Sequence, residues 1–497
     1  MQVVASALMA VLSPMGLLVN VAGVVLGIIF GAMPGLNGVV GVALLLPLTY
    51  GMLPEFGLIM LSGLYMGSTY GGSISAVLLN CPGTGEAACT AIEGHAMAEK
   101  GRAKEALSLS VLASGFGGLF GVVVMMLFTP ILTKLALKFG PAELFLVCVA
   151  GLAIVGSLMG KSLPKGFFSV GVGLLLAIVG MDNMSTNYRF TFGNYHLQAG
   201  LSLIPISVGL FAISEMLALS TNHNDAEGVS TQKDAFRVWD GIHELFQHRS
   251  LLTKSAVIGT LIGVLPGTGG AIASFIAYGV ARQSSKCAGL FGQGNPEGII
   301  APECANNAAV GGSFVPLLSL GIPGSATSAI IFGALTIHGL IPGPKLMTEH
   351  ADVVYALMMG LFLSTLLMVV FGLLGGKGFA RVLRLKTKYI IPAVLAFSLF
   401  GAYSARNSMF DVLIAVVFGL VGLLFKRNQI PVAPAVLGLI LGGMAEQNLR
   451  QAMVIARAKQ VGLLQFILFR PTSVVILIII VLLVYGSMKT TLQSDDN

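Results

Sequence analysis

The chain has 497 residues, 55% of them hydrophobic and only 10% charged, with a mean hydropathy of +0.90 and a net charge of +7. Soluble domains carry roughly a quarter charged residues, so this composition excludes one and places the chain in a lipid bilayer. The positive balance reads as loop charge on the cytoplasmic side of a membrane, with no nucleic-acid partner.

Apolar runs long enough to cross about 30 Å of hydrocarbon as helices recur near residues 16–32, 56–80, 106–130, 142–160, 166–181 and 200–218. The second half continues them near 254–280, 308–335, 353–375, 390–404, 409–425, 431–445 and 473–486. The short-period alternation of an outer-membrane barrel is absent. The expected fold is an all-α polytopic membrane protein of about a dozen transmembrane or re-entrant segments. No basic n-region precedes the first run, since the first Lys or Arg is Lys100, so that run is expected to stay in the protein.

Basic clusters at Lys100–Lys104, Lys161–Lys165, Lys233–Lys254, Arg381–Lys388 and Lys426–Arg427 mark cytoplasmic loops and leave the N-terminus outside. The one long polar stretch inside the chain, Thr221 to Arg249, divides it. The expected units are a first repeat at 1–218, a polar cytoplasmic linker at 219–253 and a second repeat at 254–497. A short amphipathic helix is expected in the linker around Phe236 to Phe246.

The halves share interrupted phrases. Gly27, Gly31, Pro34, Gly35 and Gly38 match Gly259, Gly263, Pro266, Gly267 and Gly270 at one offset of 232 positions. Gly71-Gly72-Ser73 followed by Asn80-Cys81-Pro82-Gly83-Thr84 is answered by Gly311-Gly312-Ser313 followed by Gly321-Ile322-Pro323-Gly324-Ser325. A third match pairs Leu163-Pro164, ending at Asp182, with Ile430-Pro431, ending at Glu446, and leaves 390–404 as an extra segment in the second half. Such duplications occur in secondary transporters built from inverted repeats.

Proline removes a backbone donor and glycine tolerates non-helical dihedrals, so each phrase breaks its helix. Irregular backbone survives at membrane depth only buried in protein or lining a polar cavity. Freed N–H groups at half-helix N-termini suit an anion, and freed carbonyls suit a cation such as sodium. No Lys or Arg stands in the Pro-Gly phrases or in the Gly-Gly-Ser phrases and their turns, so a bound carboxylate is expected to be held by amides, hydroxyls and helix ends. Glu303, after Pro302, reads as a helix N-terminal carboxylate or a coupling group; Glu86 and Glu297 rank behind it.

Catalytic chemistry finds no support. Cys81, Cys89, Cys148, Cys287 and Cys304 form neither a CxxC pair nor a metal-spaced cluster with histidine. No nucleophile and base stand at workable spacing, so no enzyme, cofactor or catalytic metal is expected.

Pro34-Gly35-Leu36, Tyr70-Gly71-Gly72-Ser73 with Asn80-Cys81-Pro82-Gly83, Ala301-Pro302-Glu303 with Asn306-Asn307-Ala308, and Gly321-Ile322-Pro323-Gly324-Ser325 resemble the TctA family. That family is the large membrane subunit of tripartite tricarboxylate transporters, and the likeness covers nearly the whole chain. The resemblance implies a permease of the bacterial inner membrane that imports citrate or another small carboxylate, driven by Na+ or H+. It also implies two partners, a small TctB-like membrane subunit and a periplasmic TctC-like binding protein. The expected substrate site comprises Ser73, Asn80, Pro82, Gly83, Thr84, Asn307, Ser313, Pro323, Gly324 and Ser325. Pro34, Gly35, Asn37, Gly38, Pro266, Gly267, Thr268 and Gly269 are expected to hold a cation or shape the site. Two hairpins near 67–90 and 307–330 are expected to close on substrate; the alternatives are a passive carboxylate channel and an intramembrane enzyme.

Overall fold

A computed structural model of the chain describes residues 2–33, 35–158, 163–182, 186–221, 238–375, 387–468, 470, 472–474 and 476–478. Helix dominates, as the composition requires, and the only described strands are the two-residue pair Gly180–Met181 and Tyr188–Arg189. Five helices among the described residues are long and apolar enough to cross a membrane.

The first half opens with α1 (Gln2–Leu12) and α2 (Pro14–Ala32). Ser13 caps α2 by accepting from the Gly16 amide at 3.0 Å, and Pro14 supplies a first-turn dihedral that needs no donor. There follow α3 (Gly38–Leu45), α4 (Pro54–Leu79), α5 (Ala88–Glu99), α6 (Ala103–Ala136), α7 (Pro141–Leu158) and α8 (Leu163–Ala177). A helix over 203–221 closes the half, formed by α9 (Leu203–Ser207), a π turn and α10 (Ser214–Thr221).

The second half comprises α11 (Val238–Gln247), α12 (Arg249–Val264), α13 (Gly269–Ser284), α14 (Glu297–Leu320), α15 (Ala326–Ile337), the short α16 (Leu346–Glu349) and α17 (Ala351–Leu374). Then come α18 (Thr387–Ser404), α19 (Met409–Arg427), α20 (Ala433–Ala458) and α21 (Leu463–Leu468). α11 is the expected amphipathic helix, and it buries Gly241 and Leu245. The linker residues 222–237 and the last apolar run beyond 478 lie outside the described residues.

Glycine sets the helix directions. A Cβ on Gly23, Gly27 or Gly31 of α2 would overlap the carbonyls of Met60, Leu64 and Ser68 of α4, so both helices advance together and run parallel. Gly259 and Gly263 of α12 meet Ala305 and Ala309 of α14 in the same way. Gly117 and Gly121 of α6 meet Cys304 and Ala308, which makes α6 parallel to α14. Gly115 and Gly118 of α6 meet Val369 and Thr365, which makes α6 antiparallel to α17. Finally Gly360 faces Ile59, and Ser364 Oγ lies 3.2 Å from the Cβ position of Gly63, so α17 runs with α4. It follows that α4 and α14 run in opposite directions.

After α6 the first half has helices at 141–158, 163–177 and 203–221; after α17 the second has 387–404, 409–427 and 433–458. Gly173 of α8 is flush against Ala435 and Gly438 of α20, and Gly419 of α19 against Ile213 and Gly209 of the 203–221 helix. Each half therefore lends the other one helix at the same packing position. On this order 387–404 answers 141–158 and is no addition, while the third phrase match joins α8 and α20, which occupy different positions. The ends of that match still meet: Arg450 pairs with Asp182 at 2.6 Å and Glu446 at 2.8 Å, and Arg189 with Glu446 at 2.6 Å.

Candidate functional site

The two Pro-Gly phrases are hairpin tips. Past Gly31, which faces Ser68, the chain reverses: Gly38 also faces Ser68, and Gly41 lies back beside Leu64, so α3 retraces α4 antiparallel. α13 repeats the move, with Gly270 against Asn306 and Ser274 Oγ donating to the Pro302 carbonyl at 3.3 Å. Gly35 has φ 81° and Gly267 φ 74°, left-handed values that glycine adopts without a Cβ clash. Pro34 itself lies outside the described residues. Asn37 caps α3 by accepting from the Val40 amide at 3.0 Å. Thr268 precedes α13 but turns its hydroxyl back to the carbonyls of Ile262 and Leu265, at 2.5 and 2.9 Å, and leaves α13 without a side-chain cap.

The other two breaks differ from the hairpins expected at 67–90 and 307–330. Each is a long buried helix that ends in a left-handed residue, Asn80 with φ 50° or Gly321 with φ 75°, after which the chain folds back. The Gly83 amide then donates to the Gly72 carbonyl at 3.3 Å, and the Gly324 amide to Ser313 at 3.4 Å. Gly72 is therefore the partner of Ser313, an offset of 241, whereas the Gly-Gly-Ser letters align at 240. One residue turns a helical side chain by about 100°, so Ser73 and Ser313 face differently. Ser325 starts α15 with a reciprocal capping box to Ser328. Thr84 stands at the same point of the first half and caps nothing.

All four breaks meet. Gly83 is flush against the Gly31 carbonyl, Gly324 against the Gly263 carbonyl, and Gly38 lies near Ser68 Oγ and Thr327 Oγ1. A Cβ on Gly270 would come 2.9 Å from Glu86 Cγ and closer still to Asn306 Oδ1. Tyr65 donates to or accepts from Ser325 Oγ at 2.9 Å and lies within electrostatic reach of Glu86 and Ser313. At the offset of 241, Tyr65 answers Asn306, Ser325 answers Thr84 and Thr327 answers Glu86. One centre is thus built twice, once as Tyr65–Ser325–Thr327 and once as Asn306–Thr84–Glu86.

The expected site residues divide accordingly. Gly35, Asn37, Gly38, Gly83, Thr84, Pro266, Gly267, Thr268, Gly269, Pro323, Gly324 and Ser325 all lie at the four breaks. Asn80 and Pro82 are exposed on the outer side of their turn, where Asn80 ends α4. Ser313 lies beside Gly324 and donates to the Val310 carbonyl at 2.8 Å. Asn307 turns away, its amide 3.3 Å from Met66 Sδ and 3.4 Å from Met368 Sδ. Tyr65 and Ser68 were not legible as site residues, because each reads as one more position on an apolar helix.

Ser73 also points elsewhere, toward Glu303. That carboxylate begins no helix: it lies within α14, fully buried, and Glu297 is the acid of the first turn. Ser73 and Thr90 both donate to Oε1, and Ser114 to Oε2 at 2.8 Å. Hydroxyls from α4, α5 and α6 thus converge on one acid of the other half. A cavity of about 490 Å³, lined by Met181, Gln198, Thr336 and Arg406, opens at the far end of α15 from Ser325.

Buried helices that stop and restart in opposed pairs, flush against each other at glycine, define a polytopic helical membrane protein with a central broken-helix site. Comparison with known proteins narrows the class: the description "Tripartite tricarboxylate transporter TctA family" matches residues 17–437. The chain belongs to that family, and is a membrane protein of a transporter family. It is 37% identical over 447 residues, 90% of its length and 88% of the relative's, to an uncharacterized 52.8 kDa protein in the TAR-I ttuC' 3' region of Agrobacterium vitis. It is 39% identical over 199 residues, 40% of its length and 82% of the relative's, to an uncharacterized protein in the TAR-II ttuC' 3' region of the same organism. No solved structure matches the chain.

Proposed function

We propose that the chain is the permease subunit of a tripartite carrier in a bacterial inner membrane, importing citrate or a related small carboxylate by cation-coupled alternating access. One observation carries this reading: four helical segments begin at the meeting breaks, at Gly38, Gly85, Gly269 and Ala326. The α-helices that start at Gly38, Gly269 and Ala326 each present first-turn amides and the positive end of a helix dipole, and the short turn at Gly85 adds its own amides; together they favour an anion, with no basic side chain in these first turns. Gly38, Gly83, Thr84, Gly267, Gly270, Gly324 and Ser325 are buried at these breaks, and such groups act most strongly where water does not compete.

The opposed directions of α4 and α14, and of α6 and α17, support an inverted repeat, the architecture that lets one site face either side in turn. A periplasmic binding protein would deliver substrate, and a small second membrane subunit would complete the carrier. Sodium is the proposed coupling ion.

The test is uptake of labelled citrate and other di- and tricarboxylates into vesicles holding the permease with its small subunit, with and without binding protein and sodium gradient. Concentrative uptake that needs both supports the proposal. Gradient-independent passive flux would instead establish a channel.

A further inference from the structure

The duplicated centre is not equally satisfied on its two sides. On one, Tyr65 and Ser325 bond each other, Ser325 closes its capping box, and Asn37 caps α3. On the other, Asn306 is 1% exposed and neither its Oδ1 nor its Nδ2 has a partner, while Thr84 is 4% exposed and its hydroxyl is also unpartnered. Thr84 Oγ1 is turned toward the Glu86 carboxylate without closing a bond of ordinary geometry. α13 and the turn at Gly85 start there without side-chain caps. Buried polar atoms without partners cost about 1–3 kcal/mol each, and here they gather on the unsatisfied half of a paired site.

Their chemistry specifies what would satisfy them. An amide has an oxygen that accepts and a nitrogen that donates, so a single ligand of either sign leaves one end of Asn306 unmet. Glu86, when ionised, adds a negative charge for which no basic side chain among the described residues provides an ion pair. A carboxylate placed at the uncapped helix starts would lie beside that charge and be repelled. A cation between the two removes the repulsion and gives Asn306 Oδ1, Thr84 Oγ1 and Glu86 a common partner, leaving Asn306 Nδ2 for the substrate. Three hard oxygens suit an alkali ion, whereas a proton on Glu86 would leave the amide oxygen and the threonine unmet.

We infer that Glu86, Thr84 and Asn306 form a sodium site on one side of the centre, and that sodium and the carboxylate bind there with mutual dependence. This rests on the carboxylate reading proposed above and assigns the coupling ion its ligands.

The experiment measures thermal unfolding of the purified permease in sodium chloride against choline chloride, titrated with sodium in the presence and absence of citrate and of a panel of other di- and tricarboxylates. Wild type is expected to be stabilised by sodium with saturation, and citrate should lower the half-saturating concentration severalfold. Glu86→Gln, Thr84→Val and Asn306→Leu should each raise it tenfold or more, while Thr84→Ser, which keeps the hydroxyl, should stay within about twofold of wild type. Variants that fail to fold are replaced by Gly270→Ala, whose methyl group enters the space between Asn306 and Glu86 and should weaken sodium equally. No sodium-specific stabilisation of wild type, or equal stabilisation of wild type and Glu86→Gln, overturns the site. Sodium stabilisation that is lost in the variants while no carboxylate has any effect upholds the ion site and overturns the transport reading instead.

Discussion

Replacing Gly31 with alanine tests the parallel seam between α2 and α4, on which the first hairpin tip depends. A Cβ there would come 2.8 Å from both Ser68 Cα and the Ser68 carbonyl carbon, and closer to the oxygen, where ordinary contact begins at 3.4 Å. The oxygen is nearest and sets the displacement: the helices would have to part by about 1.2 Å to reach ordinary contact, against backbone atoms that have no rotamer to change. Overpacking of this kind costs about 1–3 kcal/mol, and the rigid neighbour puts Gly31→Ala near 3. Gly38→Ala is the control. Its methyl would overlap only Ser68 Oγ, which can rotate away at the loss of its 2.9 Å bond to the Tyr65 carbonyl, about 1 kcal/mol. Unfolding of the two purified variants in SDS titrations reads both values. If Gly31→Ala is as stable as wild type, or less damaging than Gly38→Ala, the parallel seam is wrong, and with it the reversal at the first tip.

Three further outcomes follow from other contacts. Ser325→Ala removes a capping box and the bond to Tyr65 and should cost about 2 kcal/mol, whereas Tyr65→Phe, which removes the bond alone, should cost about 1, both by the same titration. Glu303→Ala strips one acceptor from three buried hydroxyls and should destabilise by about 3 kcal/mol or more; Ser73→Ala, losing one of the three, should cost about a third of that. Burial, with Glu105 beside it, holds the Glu244 carboxyl in α11 above the usual carboxylate range, despite His248 and Arg102. The folded protein then holds this proton more tightly than the unfolded chain, so its contribution to stability is full at low pH and is lost as pH rises through the folded value. Wild type should therefore gain stability relative to Glu244→Gln as pH falls from neutral toward the ordinary carboxylate range, and parallel curves for the two would refute this.

Much of the membrane architecture can be read from the chain because lipid leaves few alternatives: uninterrupted apolar runs become helices, and proline with glycine must interrupt them. The tips at Gly35 and Gly267 followed from this. Register did not. Gly71-Gly72-Ser73 and Gly311-Gly312-Ser313 match by letter, yet Gly72, which accepts from the Gly83 amide, is the counterpart of Ser313, which accepts from the Gly324 amide, because a fold-back is measured in turns of helix and not in residue types. That single step sent Ser73 to Glu303 instead of the centre. Glu303 read as a helix start since Pro302 commonly marks one, but α14 begins at Glu297 and carries the proline inside. The relation of Tyr65 to Asn306 was beyond the sequence altogether: the residue types are unlike, and only the packing of one half against the other makes them counterparts.

The helix starts that meet at the breaks attract through peptide groups, which have no proton to lose. Between the ordinary carboxylate and lysine values, from about pH 5 to about pH 9, the pull of those peptide groups on an anion is constant. If the chain imports a carboxylate as proposed, that part of the attraction would serve in acid and alkaline surroundings alike without retuning. Any bend in its pH profile is set by the ionisation of its cargo or by a carboxyl such as Glu86, which makes that profile a means of recognising the cargo.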